Sequence, residues 1–404
     1  MPTRVVIVGG SFGGLTTAYE LRDKLTPDQC EITLISQEER FTFVPSLPWV
    51  AMGSRSLAQI SFPVSEPLLR RQVRFAHQTV VAIDPDHKVV STDQGQHAYD
   101  FLVLATGHRS ANEAVPGLGP FDGPGHSLMS AREAQELRSA VAALVEAPGP
   151  VVVGAAPGAS CIGPAYEFAF ELDHLLRRRQ RRSRVAITFV TPEPFLGHMG
   201  MGGAGKIRQL LEGAFEERDI RYLTSAAVSR IGESAVQVEG TGELEAKLAM
   251  VIPPLAGVPV VAGSPGLANP KGFVAVDARY RHPTMEGVYA VGVAVAMAPA
   301  GETPVPVNFP KTAHMTEQMG TIVALDIAAR IGGGMGAAAP LVSRCVLDMG
   351  DRGVYMSTNP VRPPRDRIPK VSEGKRWLWA KRGFERVYLW HARRGRRVPT
   401  TIGW

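Results

Sequence analysis

The chain is punctuated by short, wholly apolar runs that end in glycine. Val5-Val-Ile-Val8 runs into Gly9-Gly-Ser-Phe-Gly-Gly14, and Pro150-Val-Val-Val-Gly154 opens a second segment of the same kind. Glu31-Ile-Thr-Leu-Ile-Ser36, Arg184-Val-Ala-Ile-Thr-Phe-Val190, Tyr99-Asp-Phe-Leu-Val-Leu-Ala-Thr-Gly107 and Gly287-Val-Tyr-Ala-Val-Gly292 add further runs with no regular polar alternation. Continuous apolar runs predict parallel strands covered on both faces, and a helical stretch follows the first, from Leu15 to Leu25. This alternation of strand, glycine turn and helix predicts an α/β protein with two Rossmann-like dinucleotide-binding domains.

The first strand–turn–helix unit carries candidate chemistry. Gly9, Ser11, Phe12, Gly13 and Gly14 occupy a turn whose backbone N–H groups and helix N-terminus suit a pyrophosphate. Ser11 replaces the usual middle glycine, and its small side chain still allows close backbone approach. Ser36 ends the next strand where an acidic residue would hold a ribose 2′-hydroxyl; Glu38 and Glu39 follow as alternatives. Ala105-Thr-Gly107 and Gly292 end two more strands, a pattern that supports FAD, although Val293 replaces the usual Asp after the last glycine. In the second unit the turn holds Gly154 and Gly158, with Cys161 expected at the start of the helix. The following strand ends at Thr191-Pro192 without a ribose-binding acid, which argues against NADH. A helix N-terminus there would lower the thiol pKa of Cys161.

Composition narrows the picture. At 404 residues the chain is long enough for two cores and an extension, which sets the expected division. The FAD domain spans 1–110 and 255–330, a second Rossmann-like domain spans 111–254, and a C-terminal membrane-contact region spans 331–404. Three cysteines are too few for a disulfide scaffold and none has metal-ligand spacing, so no metal is expected; Cys30 reads as a small structural residue. The sequence from 370 onward holds ten basic and two acidic residues, a charge of +8 that leaves −2 for the rest. The basic character belongs to the tail, which excludes a nucleic-acid reading of the whole. Trp377, Leu378, Ala380, Phe384, Val387, Tyr388 and Trp390 recur there at helical spacing among Lys and Arg. They predict an amphipathic helix lying in a membrane interface. Met1-Pro-Thr-Arg runs directly into a strand and no run is long enough to span a bilayer, so the expected location is peripheral, on the cytoplasmic face of the cell membrane.

Along nearly its whole length the chain resembles the sulfide:quinone oxidoreductases, within the pyridine nucleotide-disulfide oxidoreductase superfamily. The resemblance rests on Phe43-Val-Pro-Ser-Leu-Pro-Trp49, Gly154-Ala-Ala-Pro-Gly-Ala-Ser-Cys-Ile-Gly-Pro-Ala-Tyr-Glu167 and Glu193-Pro-Phe-Leu-Gly-His-Met-Gly200. Thr303-Pro-Val-Pro-Val-Asn-Phe-Pro-Lys-Thr312 and Cys345-Val-Leu-Asp-Met-Gly-Asp-Arg-Gly353 complete it. It implies FAD, a redox-active Cys161–Cys345 disulfide, hydrogen sulfide as substrate and a membrane quinone as acceptor. Cys161 would face the sulfide and Cys345 the flavin. Glu167 and His198 become candidates for proton transfer and the sulfide path. Lys311, expected to open a helix after Pro310, would set a positive charge beside the flavin. Met129 stands where many members carry a third cysteine, and Glu133 near where some carry a histidine. Three other readings compete: a flavocytochrome c sulfide dehydrogenase subunit, a type II NADH:quinone oxidoreductase, and a flavin-bearing redox sensor. Homo-oligomerisation stays open.

Overall fold

The computed structural model describes residues 1–119, 121, 123–365 and 367–398. Its first sheet is five-stranded and parallel, in the order Val288–Ala290, Phe101–Leu104, Thr3–Val8, Cys30–Ser36, Arg74–His77. The central strands are buried on both sides, with Ile7, Leu34 and Val103 inaccessible to solvent. This is why their sequences show no alternation. The helices Phe12–Lys24 and Ala313–Ile331 pack together over this sheet.

A second parallel sheet runs in the order Ile220–Leu223, Ile187–Val190, Val151–Ala155, Leu248–Ile252. The helix that follows its Val151–Ala155 strand spans Gly163–Arg178. Two positions therefore differ from the sequence reading. Cys161 lies in the turn two residues before that helix rather than on it. Lys311 precedes Thr312, whose side chain caps the helix Ala313–Ile331 by accepting from the Met315 N–H at 3.3 Å.

The C-terminal part adds three antiparallel strands, Ser343–Asp348, Gly353–Thr358 and Lys370–Gly374, and then the helix Lys375–Ala392. This helix does form, but much of the stripe expected to enter a membrane is docked on the protein itself. Leu378, Tyr388 and Leu389 are buried. The Tyr388 ring sits 5.0 Å from Phe43 and 5.3 Å from Phe12, centroid to centroid. Glu385 accepts from Ser46 Oγ at 2.5 Å and from Arg55 Nε at 2.9 Å. Full burial of each large apolar side chain stabilises by about 1.5–3 kcal/mol, so docking consumes the apolar area that would otherwise seek lipid. What remains outward is aromatic and basic: Trp379 is 69% exposed and Trp390 48%. Among the described residues, no helix is long and apolar enough to cross a membrane.

Candidate active site

The glycine turn after Thr3–Val8 is shaped by contacts a side chain would prevent. Gly9 has φ +115°, and a Cβ there would lie 2.2 Å from the Ala105 carbonyl oxygen; one on Gly14 would lie 1.8 Å from the Gly9 oxygen. The strand end and the helix thus meet backbone to backbone. Ser11 makes no capping bond with its side chain, and the first helical turn carries no acid. The first N–H groups of a helix lack intrahelical partners, so this end presents an uncapped positive pole suited to a pyrophosphate. Ala105, Thr106 and Gly107 follow the neighbouring strand, and Gly292 follows Val288–Ala290. Ser36 is held in a local turn, accepting from the Glu38 N–H at 3.1 Å and donating to the Glu38 oxygen at 2.9 Å. Glu39 pairs with His77 at 3.2 Å. These residues fit a dinucleotide cofactor.

The second strand–turn–helix unit is closed by the protein's own chain. The Gly158 N–H donates to the Pro306 oxygen at 2.6 Å, Asn308 Nδ2 donates to the Gly158 oxygen at 2.7 Å, and the Asn308 N–H donates to the Ala159 oxygen at 3.0 Å. The segment around Pro306–Asn308 therefore occupies the turn where a second pyrophosphate would sit. Glu193, the acid nearest the end of the Ile187–Val190 strand, is buried. It accepts from Tyr166 Oη at 2.6 Å, Thr191 Oγ1 at 2.8 Å and the Met199 N–H at 2.5 Å. Its acceptor capacity is directed inward.

Between the two units lies a largely apolar cavity of about 300 Å³. Cys161 and Cys345 both open onto it, as do Met129, Glu167, Lys311 and Phe384. Both residues are only partly exposed, and both line this cavity. Burial, and then the Glu167 carboxylate, push the Cys161 thiol up to about 11. Burial and Glu167 push Cys345 to about 12, with Lys381 pulling it partly back and the Cys161 sulfur raising it further. The expected lowering of the Cys161 pKa is thus reversed. The thiol lies outside the helix it precedes, and desolvation with a neighbouring carboxylate outweighs a half-charge pole.

Glu167 is buried beside Lys381 in an ion pair and accepts from the Asp348 N–H at 2.8 Å. Burial raises its pKa, opposed by Lys381. Burial alone would lower Lys381, yet Glu167, Asp348 and Glu171 outweigh it and hold the ammonium above its ordinary value. Lys311 donates to the Val293 oxygen at 3.0 Å and the Val295 oxygen at 2.8 Å, and burial lowers it to about 8. His198 is not on the cavity wall. Its ring packs on Phe195 at 5.3 Å between centroids, while the neighbouring Met199 and Met201 face the cavity. Glu133 accepts from Ser127 Oγ at 2.6 Å and from the Met129 N–H at 2.8 Å, fixing the turn that points Met129 inward.

Four titratable residues of this cavity were not singled out from the sequence. His108 and His314 are each lowered to about 4, chiefly by burial. Glu317 is raised to about 7 by burial, with Arg397 and Tyr388 opposing. Lys381 lay hidden among the basic residues of the tail. Adjacency to Lys311 was a usable signal for His314 and Glu317; Lys381 had none, because its partner is 214 positions away. Among the described residues, no cluster of three or more His, Cys, Asp or Glu could hold a metal ion.

Comparison with known proteins places this arrangement. The sequence model of the family described as pyridine nucleotide-disulphide oxidoreductase matches residues 3–320. The sulfide-quinone reductase of Aquifex aeolicus is 38% identical, over 99% of this chain and 93% of its own. The crystal structure of the sulfide:quinone oxidoreductase from Aquifex aeolicus superposes with a TM-score of 0.95 over the same shares. The structure of NDH2 from Plasmodium falciparum in complex with NADH shares the fold at TM-score 0.75, covering 98% of this chain and 96% of its own at 14% identity.

Proposed function

Because the chain belongs to the sulfide:quinone oxidoreductases, within the pyridine nucleotide-disulphide oxidoreductase family, we propose that it oxidises hydrogen sulfide to sulfane sulfur and passes the electrons to a quinone. The observation that carries this reading is the single cavity shared by Cys161, Cys345 and the flavin-side residues Lys311 and Thr312.

The enzyme is FAD-dependent. The residues that would hold the cofactor are Gly9, Ser11, Phe12, Gly13 and Gly14 at the pyrophosphate, Ser36 near the ribose, and Ala105–Gly107 and Gly292 along the remainder. Bound flavin supplies a two-electron carrier between sulfur and quinone. Lys311 and the helix N-terminus at Ala313 would supply positive potential to it when bound. In the proposed cycle hydrosulfide attacks a Cys161–Cys345 disulfide. One cysteine gains the attacking sulfur as a persulfide, and the other leaves as a thiolate. Cys161 is the sulfide-side partner and Cys345 the flavin-side one. Both thiols are pushed well above neutrality, so an expelled thiolate that does not pass its electrons on is reprotonated. Glu167, ion-paired to Lys381, is the buried group beside both sulfurs that can hold and move that proton.

The apolar part of the cavity, with Val44, Pro45 and Phe384, suits a quinone ring. Trp379 and Trp390, outward on the docked helix with Arg382 and Arg394 stacked over them, support a peripheral membrane contact. The closure of the second dinucleotide turn disfavours NADH as donor. Anaerobic addition of sulfide should bleach the flavin, and a short-chain quinone should restore it; bleaching by NADH but not sulfide would reverse the reading.

A further inference from the structure

The loop from Met199 to Gly205 is a thin wall with a different neighbour on each side. Met199, Met201 and Ala204 face the cysteine cavity, while Gly202, Gly203 and Ala204 form one side of a surface groove. Ala204 borders both. Gly200, Gly202, Gly203 and Gly205 all have φ between +51° and +78°, so four of the seven wall residues are backbone alone in a left-handed conformation. Across the groove stands Arg365. Its Nη1 donates to the Gly203 oxygen at 2.9 Å, and its Nη2 to the Met201 oxygen at 2.6 Å and the Val361 oxygen at 3.0 Å. One guanidinium therefore ties the loop to the C-terminal part of the chain.

The groove and the hollow next to it are cationic. Lys206, Arg208, Arg365, Arg367 and Lys370 line them. Arg208 shares its charge with Glu212 at 2.8 Å. Among the described residues, no carboxylate pairs with the other four; Asp366 lies outside those residues. A cationic recess with one low-dielectric wall concentrates small anions.

We propose that this groove docks small sulfur anions, hydrosulfide inward and polysulfide outward, and that Arg365 is a positioning residue that latches the Met199–Gly205 loop shut between groove and thiols. The proposal rests on the sulfide-oxidising reading. Met199, Met201 and Ala204 are buried in the apolar core, so the loop rests closed, and the carbonyls of Met201 and Gly203 are where release of the guanidinium would begin.

The test is alkylation of the reduced holoenzyme by neutral iodoacetamide and by anionic iodoacetate, with Cys161 and Cys345 followed by peptide mass and buried Cys30 as internal reference. Arg365→Met should raise both rates several-fold at Cys161 and Cys345 and leave Cys30 unchanged. Arg365→Lys, which keeps the charge but not the forked geometry, should fall between and serves if the methionine variant loses its flavin. The triple variant Lys206→Gln, Arg367→Gln, Lys370→Gln should leave iodoacetamide unchanged and slow iodoacetate several-fold at low salt, the difference fading at high salt. Wild-type rates in the Arg365 variants overturn the latch, and equal effects on both reagents in the triple variant overturn the anion groove. These rates need no turnover. A failure of sulfide to bleach the flavin counts instead against the functional reading.

Discussion

Glu167 and Lys381, 214 positions apart in the sequence, form a buried ion pair on the wall of the cysteine cavity. The pair is part of a denser group. Asp348 accepts from Trp49 Nε1 at 2.8 Å, and Glu171 is buried with its Oε1 unpartnered among the described residues. Burial, with Asp348 and Glu167 nearby, holds the Glu171 carboxyl well above its ordinary range, opposed by Lys381 and Arg382. Lys381 thus sits among acidic groups whose charges burial disfavours.

Removing Lys381 should therefore cost more than removing the pair. Lys381→Met strands buried carboxylates and should destabilise by about 3–5 kcal/mol. Adding Glu167→Gln should recover part of that loss, because one stranded charge goes with it. Denaturant unfolding of both single variants and the double variant measures the coupling. Purely additive effects would remove the electrostatic account of the pair. Glu167→Gln alone should also lower both thiol pKa values, read as thiolate absorbance against pH in the reduced protein.

Glu317 gives a pH signature. Its folded pKa of about 7 lies above the ordinary carboxyl value of 4.5. Below the unfolded value both states are protonated and nothing is lost. As pH rises from there through 7 the unfolded chain ionises first, and stability falls, by on the order of 3 kcal/mol when complete. Glu317→Gln cannot ionise, so its Tm relative to wild type should rise between pH 5 and pH 8. A difference that stays constant over that range would place the carboxyl in an ordinary environment.

The flavin cradle is tested at one atom. Gly9→Ala would force a Cβ to within 2.2 Å of the Ala105 oxygen at a φ of +115°. The variant should purify with little flavin, seen as loss of the visible absorption band per mole of protein. Full flavin content would show that the turn can shift without consequence.

The C-terminal helix separates two roles. Truncation before Trp377 removes the Tyr388 contacts with Phe12 and Phe43 and should lower Tm, whatever it does to membranes. Replacing the outward Trp379 and Trp390 by Ser should leave Tm within about 0.5 kcal/mol equivalent and weaken sedimentation with anionic liposomes. Unchanged liposome binding would move the contact elsewhere on the surface.

Both parallel sheets were legible in the sequence because buried parallel strands leave uninterrupted apolar runs, and the glycine turns mark where helices begin. Cys161 and Cys345 could be singled out, and the structure brings them to one cavity. Four features were not legible. The docking face of the tail helix was read as lipid-facing, since spacing shows that a stripe is apolar but not what covers it. The thiol pKa shift had the wrong sign, because a helix pole is visible in sequence and desolvation is not. The Glu167–Lys381 pair and the strap of Pro306–Asn308 over Gly158 join distant segments, and no local pattern announces such pairings.

The central claim is that Cys161 and Cys345 are one redox couple that feeds the flavin. Cys161→Ser and Cys345→Ser should each retain bound flavin that dithionite still reduces, and each should lose its bleaching by sulfide under anaerobic single-turnover conditions. Bleaching at a near wild-type rate in either variant would contradict the account.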